Sequence, residues 1–127
     1  MGYIYYCNNP KGKCRIGDCV IRAIAKATGQ TWESTYINLV QHGMNMGDLP
    51  NSNEVAGAYL YEKGFRRYAI PYEKPDDYSI SDFCNDNRRG VFVLCTGTHF
   101  TVCIDGNYLD TWDCGEEIPQ FYFKKER

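Results

Sequence analysis

Apolar residues in the first half of the chain recur at helical spacing. Val20, Ile21, Ile24 and Ala27 follow Asp18, a favourable N-cap, and precede Gly29, so a helix is expected from Asp18 to about Thr28. A second helix is expected after Thr31, with Trp32, Tyr36, Leu39 and Val40 on one face and Gly43 closing it. Residues 44–53, with Gly47 and Pro50, read as a polar loop. A third helix is expected over about 53–63, turning Val55, Tyr59 and Leu60 inward, with Gly64 after it. Ahead of these helices, residues 3–6 predict a short edge strand and residues 8–17 a loop.

The second half changes period. Residues 65–70 read as a strand, 71–78 as a surface loop with Pro71 and Pro75, and Ser79–Asn85 as a short helical turn. Gly90–Cys95 is an apolar run, and His99–Ile104 is rich in β-formers. Asp105-Gly106 is a strong signal for a two-residue hairpin turn, with Asn107–Trp112 returning; residues 120–124 add a last strand. Helices first and an antiparallel sheet second predict an α+β fold. No repeat is visible, and 127 residues suit a single domain spanning the chain.

Composition narrows the function. Hydrophobic residues at 43% and charged residues at 24% argue against disorder. Aromatics at 15% are abundant and suit a cleft walled by rings. A net charge of −2 without a long Lys/Arg run argues against a nucleic-acid partner. The longest apolar run, Val91–Cys95, is far too short for a membrane span, and the N-terminal pattern is not that of a signal peptide. Tyr6 stands where a myristoylation motif wants Ser or Thr. A cytoplasmic protein without membrane contact is expected.

Seven cysteines, an odd number, predict reduced thiols. Cys95 and Cys103 lie in apolar strands and read as buried thiols. A zinc site drawn from Cys7, Cys14, Cys84 and Cys114 lacks the short ligand spacings such sites use, so no metal is expected.

Cys19 falls at the start of the first helix, where free N–H groups and the helix dipole favour a thiolate. His99 begins a strand, and the expected hairpin supplies it with a partner. With Asp105-Gly106 as the turn, Ile104 pairs with Asn107, Thr101 faces Asp110 and His99 faces Trp112. Residues 99, 110 and 112 then share one face, with Asp110 diagonal to His99. A one-residue slip would promote Asp113 or Asp105 instead. Other polar positions carry blander readings. His42 reads as a helix-end cation, Asp48, Asn51 and Asn53 as surface loop, and Arg22 as a structural ion-pair partner facing away from Cys19.

Cys at the start of the first major helix, then His, then Asp two residues before Trp, resembles the papain-like cysteine peptidases. Asp110-Thr111-Trp112 is similar to the Asn-Ser-Trp that superfamily often carries. Gly17-Asp18-Cys19-Val20-Ile21-Arg22-Ala23 looks like the nucleophile segment of small papain-like proteins encoded by phages and mobile elements. Cys19 to Ala23 also resembles the Cys-x-x-Arg-Ala stretch of ovarian-tumour-type deubiquitinases. The resemblance covers roughly residues 8–112. It implies a cytoplasmic thiol protease without cofactor, acting on a peptide or protein substrate. Cys19 would be nucleophile, His99 general base and acid, and Asp110 the residue fixing the imidazole. Papain and the bacteriocin-processing peptidases place a Gln several residues before the Cys. This chain has Lys13 there, and Asn8 and Asn9 are the only upstream amides. Asn9, fixed by Pro10 after it, is the expected oxyanion donor, with Lys13 as competitor. Two alternatives share these residues: a binding module on a decayed peptidase scaffold, and an acyl or amide transferase.

Overall fold

The computed structural model describes residues 2–126. In chain order the elements are β1 (Tyr3–Tyr5), α1 (Cys19–Thr28), α2 (Trp32–Met46), α3 (Asn53–Glu62), β2 (Phe65–Ala69), α4 (Ile80–Asp86), β3 (Val91–Cys95), β4 (Phe100–Ile104), β5 (Asn107–Asp110) and β6 (Phe121–Lys125). This is a mixed α+β fold of four helices and one six-stranded sheet in the order β1-β5-β4-β3-β6-β2.

Local chemistry sets most boundaries. Thr31 and Ser52 each accept an N–H from the first turn of the helix they precede, Ser34 and Val55 respectively. Ser79 and Asp82 complete a reciprocal capping box at α4. Gly29 ends α1 in the left-handed conformation, φ 69°. The second helix corrects the expectation. It runs through Gly43 to Met46 and stops at Gly47. Gly43 is present for contact rather than for termination: a Cβ there would lie 2.7 Å from the Asp48 carbonyl oxygen. The inward line of α2 is Thr35, Leu39 and Gly43, while Tyr36, expected inward, is half exposed.

The Asp105-Gly106 turn forms as read, with φ of 50° and 86°, and pairs Ile104 with Asn107 and Val102 with Leu109. The sheet is not wholly antiparallel, because β1 joins the edge parallel to β5. Its partner lies more than a hundred residues away in sequence, and a three-residue strand carries no directional signal.

Side chains of the central strands alternate between two cores. Val93 and Cys95 of β3, Val102 of β4 and Phe121 and Phe123 of β6 pack beneath α1 and α3 with Ile24, Leu60 and Tyr59. Phe92 and Leu94 of β3, with Cys103 of β4, face the other way, against Ile80 and Phe83 of α4 and Tyr108 and Cys114. Each fully buried Leu or Val contributes roughly 1.5–3 kcal/mol, so the sheet is held from both faces. Cys7 and Cys14 form a disulfide, which corrects the expectation of seven reduced thiols. A turn from Asn9 to Gly12 brings their Cα atoms to 5.7 Å, a proximity that the loop's composition does not announce. Among the described residues, no helix is long and apolar enough to cross a membrane.

Candidate functional site

Three chain segments meet at one end of the sheet. α1 delivers Cys19 in its first turn, the tight turn before β4 delivers His99, and the end of β5 delivers Asp110. The β3–β4 turn is held by its own bonds: Thr96 N–H donates to the His99 carbonyl at 3.0 Å, and His99 N–H donates to Thr96 Oγ1 at 3.1 Å. His99 is thereby fixed as the residue just before the strand rather than within it.

The His99 imidazole reaches Asp110 through Nε2, 2.7 Å from Oδ2. With Nε2 so engaged, Nδ1 is the ring nitrogen left for the Cys19 sulfur. Burial alone would push the Cys19 thiol up. Hydrogen bonds from the His99 imidazole and the Phe100 backbone, with the charges of His99 and Arg22, outweigh burial and hold it below its ordinary value. For His99, burial would lower the pKa. Bonds to Asp110, Cys114 and Cys19 overcome this and push it up to about 11. The two directions agree: both favour a thiolate beside an imidazolium. Trp112 covers the pair, its ring centroid 5.0 Å from that of His99, although β5 has already ended at Asp110.

Asp110 is fully buried and accepts on both oxygens. Oδ1 receives Arg22 Nη2 at 2.8 Å and the Thr111 N–H at 2.7 Å; Oδ2 receives His99 and, at 3.4 Å, the Cys114 thiol. Burial acts to raise its pKa, but His99 and Arg22 together keep the carboxyl below its ordinary value. Arg22 does not face away as expected. It is buried at 3% exposure and bridges Asp110 and Asp18, the latter at 2.6 Å. Asp18 in turn makes no capping bond to α1 and accepts Trp32 Nε1 at 2.9 Å. The row Trp32–Asp18–Arg22–Asp110–His99 therefore runs without a break behind Cys19. Sequence spacing held the signal for Arg22: three residues after Cys19 and four after Asp18 is one helix face.

In front of Cys19 lies an open cavity of about 500 Å³. The loop before α1 forms one wall through Cys14, Arg15, Ile16 and Gly17; Thr98, Thr111 and Trp112 form the other. Asn9 does not line it. Its Oδ1 accepts the N–H groups of Lys11 and Lys13 at 2.8 and 3.3 Å and so holds the loop's own turn. Neither Asn8 nor Lys13 lines the cavity. Asn8 donates to the Arg22 carbonyl at 3.4 Å, and its buried Oδ1 has no partner among the described residues.

His99, Asp110 and Cys114 bring donor atoms within 4.8 Å of one another. A dication there would face the Arg22 guanidinium across the same carboxylate, a repulsive arrangement. The cysteine set weighed as a zinc site is not assembled, since Cys7 and Cys14 are bonded to each other. His42 binds Glu62 at 2.8 Å, far in sequence from the cluster. Compared with known protein families, curated proteins and solved structures, the chain matches none.

Proposed function

We propose that this chain is a thiol acyl hydrolase of papain-like fold that cleaves a peptide or isopeptide bond with Cys19, His99 and Asp110. One observation carries the reading: a thiol held below its ordinary pKa by an imidazole whose far nitrogen lies 2.7 Å from a buried carboxylate. Burial without such partners drives thiols the other way.

The thiolate of Cys19 attacks the scissile carbonyl carbon. The oxyanion that develops lies at the start of α1, where the Cys19 N–H has no acceptor within the helix. His99, already protonated, gives its Nδ1 proton to the leaving amine as the C–N bond breaks. A thioester on Cys19 remains. His99 then takes a proton from water, hydroxide attacks the thioester, and Cys19 leaves as thiolate. Asp110 keeps Nε2 protonated, so that Nδ1 is the nitrogen that exchanges protons. Arg22 holds Asp110 ionised and fixed. Every step uses protein groups and water.

The test is selective alkylation followed by peptide cleavage. At about pH 6 a free thiol, of pKa about 8.5, is almost wholly protonated. Iodoacetamide is expected to label Cys19 there far faster than glutathione. Labelling should also abolish cleavage of a mixed peptide library read by mass spectrometry. An amide product in the presence of added amine would assign a transferase instead. Labelling of Cys19 no faster than glutathione would overturn the reading.

A further inference from the structure

We infer that the cavity in front of Cys19 selects acyl substrates bearing a carboxylate beside the scissile carbonyl, with Arg15 as the residue that recognises it. The inference rests on the thiol hydrolase reading of the same site. No Asp or Glu lines the cavity, while two arginines do. Arg22 is already neutralised, bonded to Asp18 and Asp110 on either side. Arg15 differs: among the described residues it takes part in no ion pair, and it is exposed at the wall of the cavity. Asp113, the first acid after Asp110, is engaged by the Tyr108 hydroxyl at 2.6 Å and, with Glu116, borders a different hollow.

The surrounding charge points the same way. The loop from Asn8 to Gly17 carries Lys11, Lys13 and Arg15 and no acid, in a chain whose net charge is −2. The Cys7–Cys14 disulfide and the Asn9 turn fix the shape of this cationic loop next to the nucleophile. A guanidinium offers a planar pair of donors matched to a carboxylate, and the thiolate–imidazolium pair behind it is neutral as a whole. An uncharged acyl substrate would leave Arg15 without a partner. An acidic one would be drawn in and oriented.

Iodoacetate and iodoacetamide separate charge selection from thiol reactivity. Both alkylate the same thiolate, so the ratio of their rates at Cys19 cancels its pKa. The ratio is expected to exceed that of glutathione. Arg15→Gln should lower it by roughly fivefold, the effect of one charge about 4 Å away in water. Arg15→Lys should restore part of it, and added salt should shrink it. Two peptides distinguish the source of the carboxylate. Protection of Cys19 by acetyl-triglycine with a free C-terminus assigns a chain terminus. Protection by an end-blocked peptide containing aspartate assigns an acidic side chain. Fast labelling by iodoacetamide with a ratio that Arg15→Gln does not change overturns this inference alone. Slow labelling by both reagents overturns the hydrolase reading and this inference with it.

Discussion

The two hydrophobic cores and the first turn of α1 hold cysteines in opposite electrostatic settings. Between α4 and the sheet, Cys84 of the helix and Cys103 of β4 sit among Phe83, Phe92 and Leu94. A bond from Cys103 and burial together push the Cys84 thiol far above its ordinary value. Cys95, on the α1 face, lies deep beneath the helices, and burial raises it beyond the usual range. Cys19 is also partly buried on that face, yet its thiol is lowered. Burial is common to all three. What differs is that Cys19 opens a helix and meets His99, with Asp110 and Arg22 behind it. A thiol's surroundings become reactive when charge is arranged to oppose desolvation, and the arrangement here spans residues from three separate elements.

The largest effect expected from breaking this contrast is on turnover. Cys19→Ala should abolish peptide cleavage, a loss on the order of a millionfold, with little change in melting temperature. Cys84→Ala should do the reverse, keeping cleavage and costing about 1–2 kcal/mol of stability through the cavity it leaves. Cleavage surviving in Cys19→Ala would remove the distinction between the two thiols.

Arg22→Met should cost roughly 3–5 kcal/mol of stability, because it strands Asp18 and Asp110 as uncompensated buried charges. Denaturant unfolding measures this. A loss under about 1 kcal/mol would mean that the bridge is solvated rather than buried. Asp110→Asn keeps the shape and removes the charge. Turnover should fall by roughly a hundredfold, about 2.7 kcal/mol of barrier, and the NMR titration midpoint of His99 should move down.

How much of this was legible in the sequence depends on how local each determinant is. The helix starts at Trp32 and Asn53 and the Asp105-Gly106 turn follow from residues within four positions of each other. The nearness of His99 and Asp110 followed from the turn, because the hairpin register it sets brings the start of β4 beside the end of β5. Arg22 forms the structural ion pairs expected of it, but on the Cys19 side of the helix, because its partner Asp110 lies 88 residues later; its helical spacing to Cys19 and Asp18 is the visible signal. The parallel pairing of β1 and the Cys7–Cys14 bond are likewise products of distant or irregular chain. Gly43 misled for the opposite reason: a residue type that often ends helices was there for a close backbone contact. Asn9, expected as a donor to the cleft, instead spends its side-chain Oδ1 on two N–H groups of its own loop.

The smallest of these effects, a displacement along the pH axis, bears most directly on the contrast between thiols. Because the Cys19 pKa is lowered, thiolate persists to lower pH than in a free thiol and is lost as pH falls through that lowered value. Because the His99 pKa is raised to about 11, the imidazolium persists as the thiolate's partner until pH rises through that range. The alkylation rate of Cys19 should therefore reach its plateau at lower pH than that of glutathione. In His99→Ala the cation and its hydrogen bond are gone while burial of the sulfur remains, and burial favours the neutral thiol. The midpoint should then move upward, towards or beyond the free-thiol value of about 8.5. Cys84 and Cys95 should stay unlabelled across the same range until the protein is unfolded, because they are closed to reagent as well as raised in pKa. A Cys19 midpoint that His99→Ala leaves in place would assign the lowered pKa to the helix start and Arg22 alone. The imidazole would then be a neighbour of the thiol rather than its partner.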